Sequence, residues 1–240
     1  MKLVYVSVVA ASVLLSGCEN TMNSLNSATQ GVLSSMTNQT NQTSESVESM
    51  TANFTIAPGL AGQDPLLASY GTAVIMLFTA QELWLEAVGK DESAAKLRTE
   101  RIALENGAVI DSDAMSRHVE MSQETLTAFE EAKASEEALS EESQAVFYRG
   151  WGPYLGGLYQ TRSVSMLTGK YIDTLKSSYG DIRKATENAQ KVIVLGSLGA
   201  NSMDFLALQK DTLSLVYEYA EDKNLDIPED ATTALGDFEI

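Results

Sequence analysis

The sequence predicts an all-α protein, an antiparallel bundle of about five to seven helices preceded by a polar tether. Three observations carry this. The chain of 240 residues has only four prolines, Pro58, Pro65, Pro153 and Pro228, so long stretches lack the residue that most strongly breaks helices. Ala, Leu, Glu, Gln, Met and Lys, the better helix formers, dominate from Gly62 to Asn224. No segment alternates apolar and polar residues with period two over several strands.

The helices are read in order from their start and stop residues. Asp64-Pro65 forms a start, with Asp as N-cap and Pro at the first helical position. Leu66 to Val88 is the most apolar helix after residue 18, with Gly89 as its cap, and it reads as the central helix of the bundle. A second helix spans Asp91 to Asn106, with Ala94, Leu97, Arg101 and Leu104 marking one side. Asp111 or Ser112 caps a third, to about Ala138, striped by Met115, Val119, Ser122, Leu126 and Phe129. Ser140 caps a fourth segment, Glu141 to about Ser178, which Gly150-Trp151-Gly152-Pro153 must kink or break. A fifth runs from Asp181 to about Leu198, with Ile182, Ala185, Ala189, Val192 and Ile193 inward. Gly199-Ala200-Asn201-Ser202 reads as a stop and restart. A last helix carries Phe205, Leu206, Leu208, Leu213, Val216 and Tyr219. The expected domains are 1–17, 18–62, 63–224 for the bundle, and an acidic tail over 225–240.

The first residues read as a secretory signal. Lys2 supplies a positive start, and Leu3 to Leu15 is an apolar run too short to span a bilayer. It ends in Leu15-Ser16-Gly17-Cys18, which resembles the lipobox of bacterial lipoproteins. That resemblance covers residues 1–18 only. It implies a diacylglycerol on the Cys18 thiol, cleavage before Cys18, and acylation of the new amine. Glu19 stands where an Asp would resemble an inner-membrane retention signal, so the resemblance implies an outer-membrane lipoprotein facing the periplasm. Cys18 is the only cysteine, which excludes an intrachain disulfide. Residues Glu19 to Asn53 are rich in Ser, Thr, Asn and Gln and carry no cation. Two readings stand: a flexible tether, or a weak amphipathic helix on Met22, Leu25, Val32, Met36, Met50 and Phe54.

The formal net charge of −17 repels nucleic-acid phosphates and anionic headgroups. Membrane contact is therefore expected through acyl chains on Cys18, with an envelope protein as the further partner and no nucleic acid. His118 is the only histidine, which leaves no Glu-x-x-His pair and no haem attachment motif. Beside Arg117, it reads as a surface or boundary residue. Ser93 and Lys96 match Ser-x-x-Lys without the companion motifs of penicillin-recognising enzymes. The paired glutamates at 130–131, 136–137 and 141–142 read as solvated helix ends. No catalytic residue, metal or cofactor is expected.

One segment stands out. Tyr148, Arg149, Trp151, Tyr154, Tyr159 and Arg162 form a candidate binding surface, interleaved with Gly150, Gly152, Gly156 and Gly157. Glycines inside a helix cost about 1 kcal/mol each relative to Ala, so they imply close helix contacts or room for a ligand. The expected function is an interaction or accessory protein, including the immunity type that neutralises a basic partner. The alternative is a carrier or sensor with an apolar or aromatic ligand near Trp151.

Overall fold

The structure, a computed structural model, describes residues 55–177 and 182–238. Leu15, Ser16, Gly17, Cys18 and residues 19–54, read as a tether or a weak helix, lie outside the described residues. Among the described residues every regular element is helical. A 3-10 turn at Pro58–Leu60 leads into α1 (Pro65–Ala87), α2 (Asp91–Glu105), α3 (Ser112–Lys133), α4 (Glu141–Arg149), α5 (Trp151–Ser177), α6 (Ile182–Asp222) and α7 (Glu229–Asp237).

The ends obey local chemistry. Asp64 accepts from the Leu66 amide at 3.0 Å, Asp111 from Ala114 at 2.8 Å and Ser140 from Ser143 at 3.1 Å. Each satisfies an amide that has no partner within its helix. At the C-termini of α1 and α2, Gly89 and Gly107 take φ of +74° and +87°. The following amides then reach back five residues, Lys90 to Leu85 O and Ala108 to Ala103 O, closing Schellman turns. Asn224, at φ +53°, closes α6 in the same way.

Cross-helix contacts set the directions. Glu82 of α1 meets Arg98 and Arg101 of α2, and Lys96 of α2 meets Glu124 of α3, so these neighbours are antiparallel. Tyr171 of α5 reaches Asp64 while Gly150 faces Trp84, so α5 runs against α1. Tyr154 bonds to Gln209 while Thr168 faces Gly199, so α6 runs against α5. Thus α1, α3 and α6 point one way and α2 and α5 the other, the up-and-down order of an antiparallel bundle.

The centre is α1. Its side chains are buried all round: Tyr70, Val74, Met76, Leu77, Phe78 and Trp84 are each fully enclosed. By length and composition α1 and the 191–222 stretch of α6 are apolar enough to cross a membrane. In α1, 83% of that apolar window is already buried inside the protein, as a core helix requires. Only 28% is buried in the α6 window.

Four expectations are corrected. α3 ends at Lys133, and its buried stripe is Met115, His118, Ser122, Thr125 and Phe129, turned by one residue at two positions. Val119 and Leu126 are only half-buried, packed beside that stripe. α6 does not stop at Gly199-Ala200-Asn201-Ser202. It passes through as one helix, because no proline interrupts it and a glycine costs only about 1 kcal/mol. Side chains that favour turns bond back instead, Asn201 Nδ2 donating to Ser197 O at 2.9 Å. Within α6, Ala189 and Ile193 are exposed and Leu195 and Leu198 point inward. The side chains of Ile182 and Ala185 lie outside the described residues. Finally, residues 225–238, expected within the acidic tail over 225–240, are not merely a tail. α7 buries Ala231 and Ala234, and Phe238 packs on Tyr159 at 5.4 Å between ring centroids.

Continuity of α6 makes Ala200→Pro a direct test. In a loop it would be tolerated; inside the helix it should lower unfolding free energy by about 3 kcal/mol or more in urea titrations.

Candidate functional site

The six residues of the expected binding surface separate into two groups. Tyr148, 51% exposed on α4, and Arg149 face outward. Trp151, Tyr154 and Tyr159 do not: they are 2%, 0% and 8% exposed. Arg162 lies between, half-buried, its guanidinium 5.2 Å from the Phe238 ring centroid and donating to Asp237 O at 3.5 Å. The expected surface is therefore corrected to a core at its three inner aromatic positions.

The reason is Trp84. Its ring lies 5.2 Å from Trp151, 4.7 Å from Tyr154, 5.9 Å from Phe147 and 6.2 Å from Phe129, and its Nε1 donates to Phe147 O at 2.9 Å. Such tilted and edge-on pairs match the charge distribution of aromatic rings. The glycines make room for α1. A Cβ on Gly150 would lie 2.3 Å from Trp84 Nε1, and one on Gly157 would lie 2.7 Å from Leu77 Cγ. At these two positions the space beside the glycine is occupied by α1.

A polar seam runs beside these rings. Gln81 Nε2 donates to Gln209 Oε1 at 2.6 Å, and the Tyr154 hydroxyl donates to Gln209 O at 2.5 Å. Gln209 Nε2 donates to Ser122 Oγ at 2.9 Å, and Ser122 donates to His118 O at 2.8 Å. These residues come from α1, α5, α6 and α3, so one buried network ties four helices together. Gln160 does the same for the chain entry, donating to Thr55 O at 3.1 Å and Ser69 O at 2.8 Å.

His118 forms the other end. Contrary to the expectation of a surface position, it is 0% exposed, between Phe78 and Tyr70. Its Nε2 lies 3.1 Å from Glu100 Oε1 on α2 and its Nδ1 3.3 Å from the Tyr70 hydroxyl. With the proton on Nε2, the ring donates to Glu100 and accepts from Tyr70, so the neutral imidazole is fully partnered. Burial pushes the His118 pKa below its ordinary value, against the pull of Glu100. The hydrogen bond from His118 in turn holds the Glu100 carboxyl below its ordinary range. Burial raises the Tyr70 hydroxyl far above its own. A fully enclosed imidazole meets no substrate, and the arrangement acts as a clamp between α1, α2 and α3. The sequence did hold a signal for it: His118 stands three residues after Met115 and four before Ser122, on the stripe later shared by Thr125 and Phe129.

Several carboxylates elsewhere are paired. Glu82 sits between Arg98 at 2.6 Å and Arg101 at 3.0 Å, and Glu86 also binds Arg98. Between α2 and α3 an open groove of about 480 Å3 is lined by Ser93, Glu120, Gln123, Glu124, Thr127, Ala128 and Glu131. Lys90–Glu131 and Lys96–Glu124 ion pairs bridge it at 2.7 and 3.1 Å. No cluster of three His, Cys, Asp or Glu groups suited to a metal occurs among the described residues. Comparison with known proteins finds no match to a protein family, to a curated protein or to a solved structure.

Two outcomes follow. Trp151→Ala should cost about 3–5 kcal/mol of stability, and Tyr148→Ala less than about 0.5 kcal/mol, in denaturant unfolding. Stability should also fall with acid. Because the folded His118 has the lower pKa, the unfolded chain binds its proton first, so stability drops as pH falls below 6.5. The Glu100 contribution is complete above 4.5 and is lost as pH falls through its depressed folded value. His118→Gln should remove the first of these two slopes in urea titrations across pH.

Proposed function

We propose that this chain is a lipid-anchored lipoprotein of the bacterial envelope whose helical domain works by surface interaction, not catalysis. The observation that carries the anchor is the sequence Leu15-Ser16-Gly17-Cys18 directly after an apolar run, with the only cysteine of the chain at its end. Two or three acyl chains hold a protein stably at a membrane, and a single chain does not. Glu19 in place of Asp supports the outer membrane and its periplasmic face. Residues 19–53, polar and without a cation, suit a spacer between lipid and bundle.

The surface reading draws its support from how the interior is used. The aromatic rings of α4 and α5 are spent on Trp84, and the buried histidine is closed in by Tyr70 and Glu100. The packing of Trp84 on Trp151, 5.2 Å between ring centroids, favours this reading over a carrier with a ligand near Trp151. What remains available is outside: Tyr148, Val109 and Met166 are large apolar residues at 51–73% exposure. An accessory protein that docks an envelope partner uses such positions, and the acidic surface attracts a basic one.

In a bacterial host, the wild-type chain should incorporate labelled fatty acid and partition with membranes. Cys18→Ser should incorporate none and stay uncleaved or become soluble. Unchanged labelling and processing of Cys18→Ser rejects the anchor.

A further inference from the structure

Helix α6 carries an apolar stripe that the bundle does not use. Ala189, Ile193, Gly196, Ala200, Met203 and Ala207 are all exposed, Ile193 at 68% and Met203 at 66%. Their spacing is four-three-four-three-four, the repeat that keeps one seam of a helix facing another helix. The opposite side of the same helix, Leu195, Leu198, Ser202, Phe205 and Gln209, is buried against the protein. The stripe is therefore a second face.

Two features identify what fits it. The first is size order. Read from either end about residue 198, the stripe runs small, large, small, small, large, small. A second copy laid antiparallel would set Ile193 against Met203, Gly196 against Ala200 and Ala189 against Ala207. The small central pair lets two backbones approach, and the large residues close the seam on either side. A two-fold interface demands this kind of self-complementarity, because residue i meets j wherever j meets i. The second feature is charge. In a chain of net charge −17, the 189–207 segment contains only Lys191 and Asp204. The antiparallel register brings Lys191 of one copy to the level of Asp204 of the other, so like charges do not meet.

We propose that the exposed face of α6 over residues 189–207 is a homodimer interface, formed by antiparallel pairing with a second copy. A single helix pair buries less than the standard stable interface, so the dimer is weak and reversible.

The test uses residues 19–240, which have no cysteine and retain the whole bundle. Sedimentation velocity over a concentration series should show a reversible monomer–dimer equilibrium. Met203→Glu and Ile193→Glu should each weaken it at least about tenfold. Both positions are solvent-exposed in the monomer, so thermal midpoint and helical signal, measured at concentrations where the protein is monomeric, should stay unchanged. Ile193→Lys combined with Met203→Glu should restore pairing, since each lysine then faces a glutamate. Spin labels at Ala200→Cys should lie close together, and those at Ala189→Cys and at Ala207→Cys about 27 Å apart along the axis. A monomer at all concentrations overturns the proposal, as does a dimer untouched by Met203→Glu. Short separations at all three label positions would mean a parallel dimer and overturn the register.

Discussion

Helix α1 has no polar face, and the rest of the fold answers to that. Eighteen of its 23 residues are buried, on every side of the helix. A helix with apolar residues on every side is stable in water only when it is enclosed. α2, α3, α4 and α5 all pack on it. The close approaches at Gly71, Gly150 and Gly157 exist because α1 must be covered without gaps: a Cβ at Gly71 would lie 2.3 Å from Ile110 Cδ1. The same need explains the chain before α1. The Thr72 hydroxyl accepts from the Ala57 amide at 2.9 Å, and Gln63 Nε2 donates to Ala108 O at 2.8 Å, so the entry segment is fastened across the helix start.

Enclosing α1 also encloses its polar side chains, and these select their partners. Tyr70, Gln81 and Glu82 each require a group from another helix: His118, Gln209 and the Arg98–Arg101 pair. Apolar packing alone would tolerate sliding and rotation between helices. A buried polar atom left without its partner costs about 1–3 kcal/mol, so these bonds fix the register of the bundle. The single histidine belongs to that framework. It links the stability of the bundle to pH, and its burial removes it from chemistry with a substrate.

Much of this was legible in the residues, and the misses have physical causes. Caps were plain, because Asp64-Pro65, Asp111, Ser140 and Gly89 each answer a local need of the backbone. α1 was plain because its apolar run needs no context. The path of α6 was not. Gly199, Asn201 and Ser202 disfavour helix by small amounts, and packing on α3 and α5 outweighs them. His118 was misplaced because its neighbour Arg117 suggested solvent, whereas the turn of the helix sends the two side chains to different surroundings. The aromatic run 147–159 was legible as unusual, but composition does not distinguish rings that line a pocket from rings that fill one. Trp84, distant in sequence, decides it. Residues 1–54 precede the described residues, so the lipoprotein reading rests on sequence.

The molecule divides into an interior committed to enclosing α1 and an exterior that is not. The measurement that meets this division most directly is amide hydrogen exchange of residues 19–240 followed by mass spectrometry. Amides of α1 should exchange last, at the rate of global unfolding, while α7 and the 189–200 end of α6 exchange earlier. If α1 exchanges before those segments, it is not the enclosed centre, and the assignment of the aromatic and polar interior built around it fails.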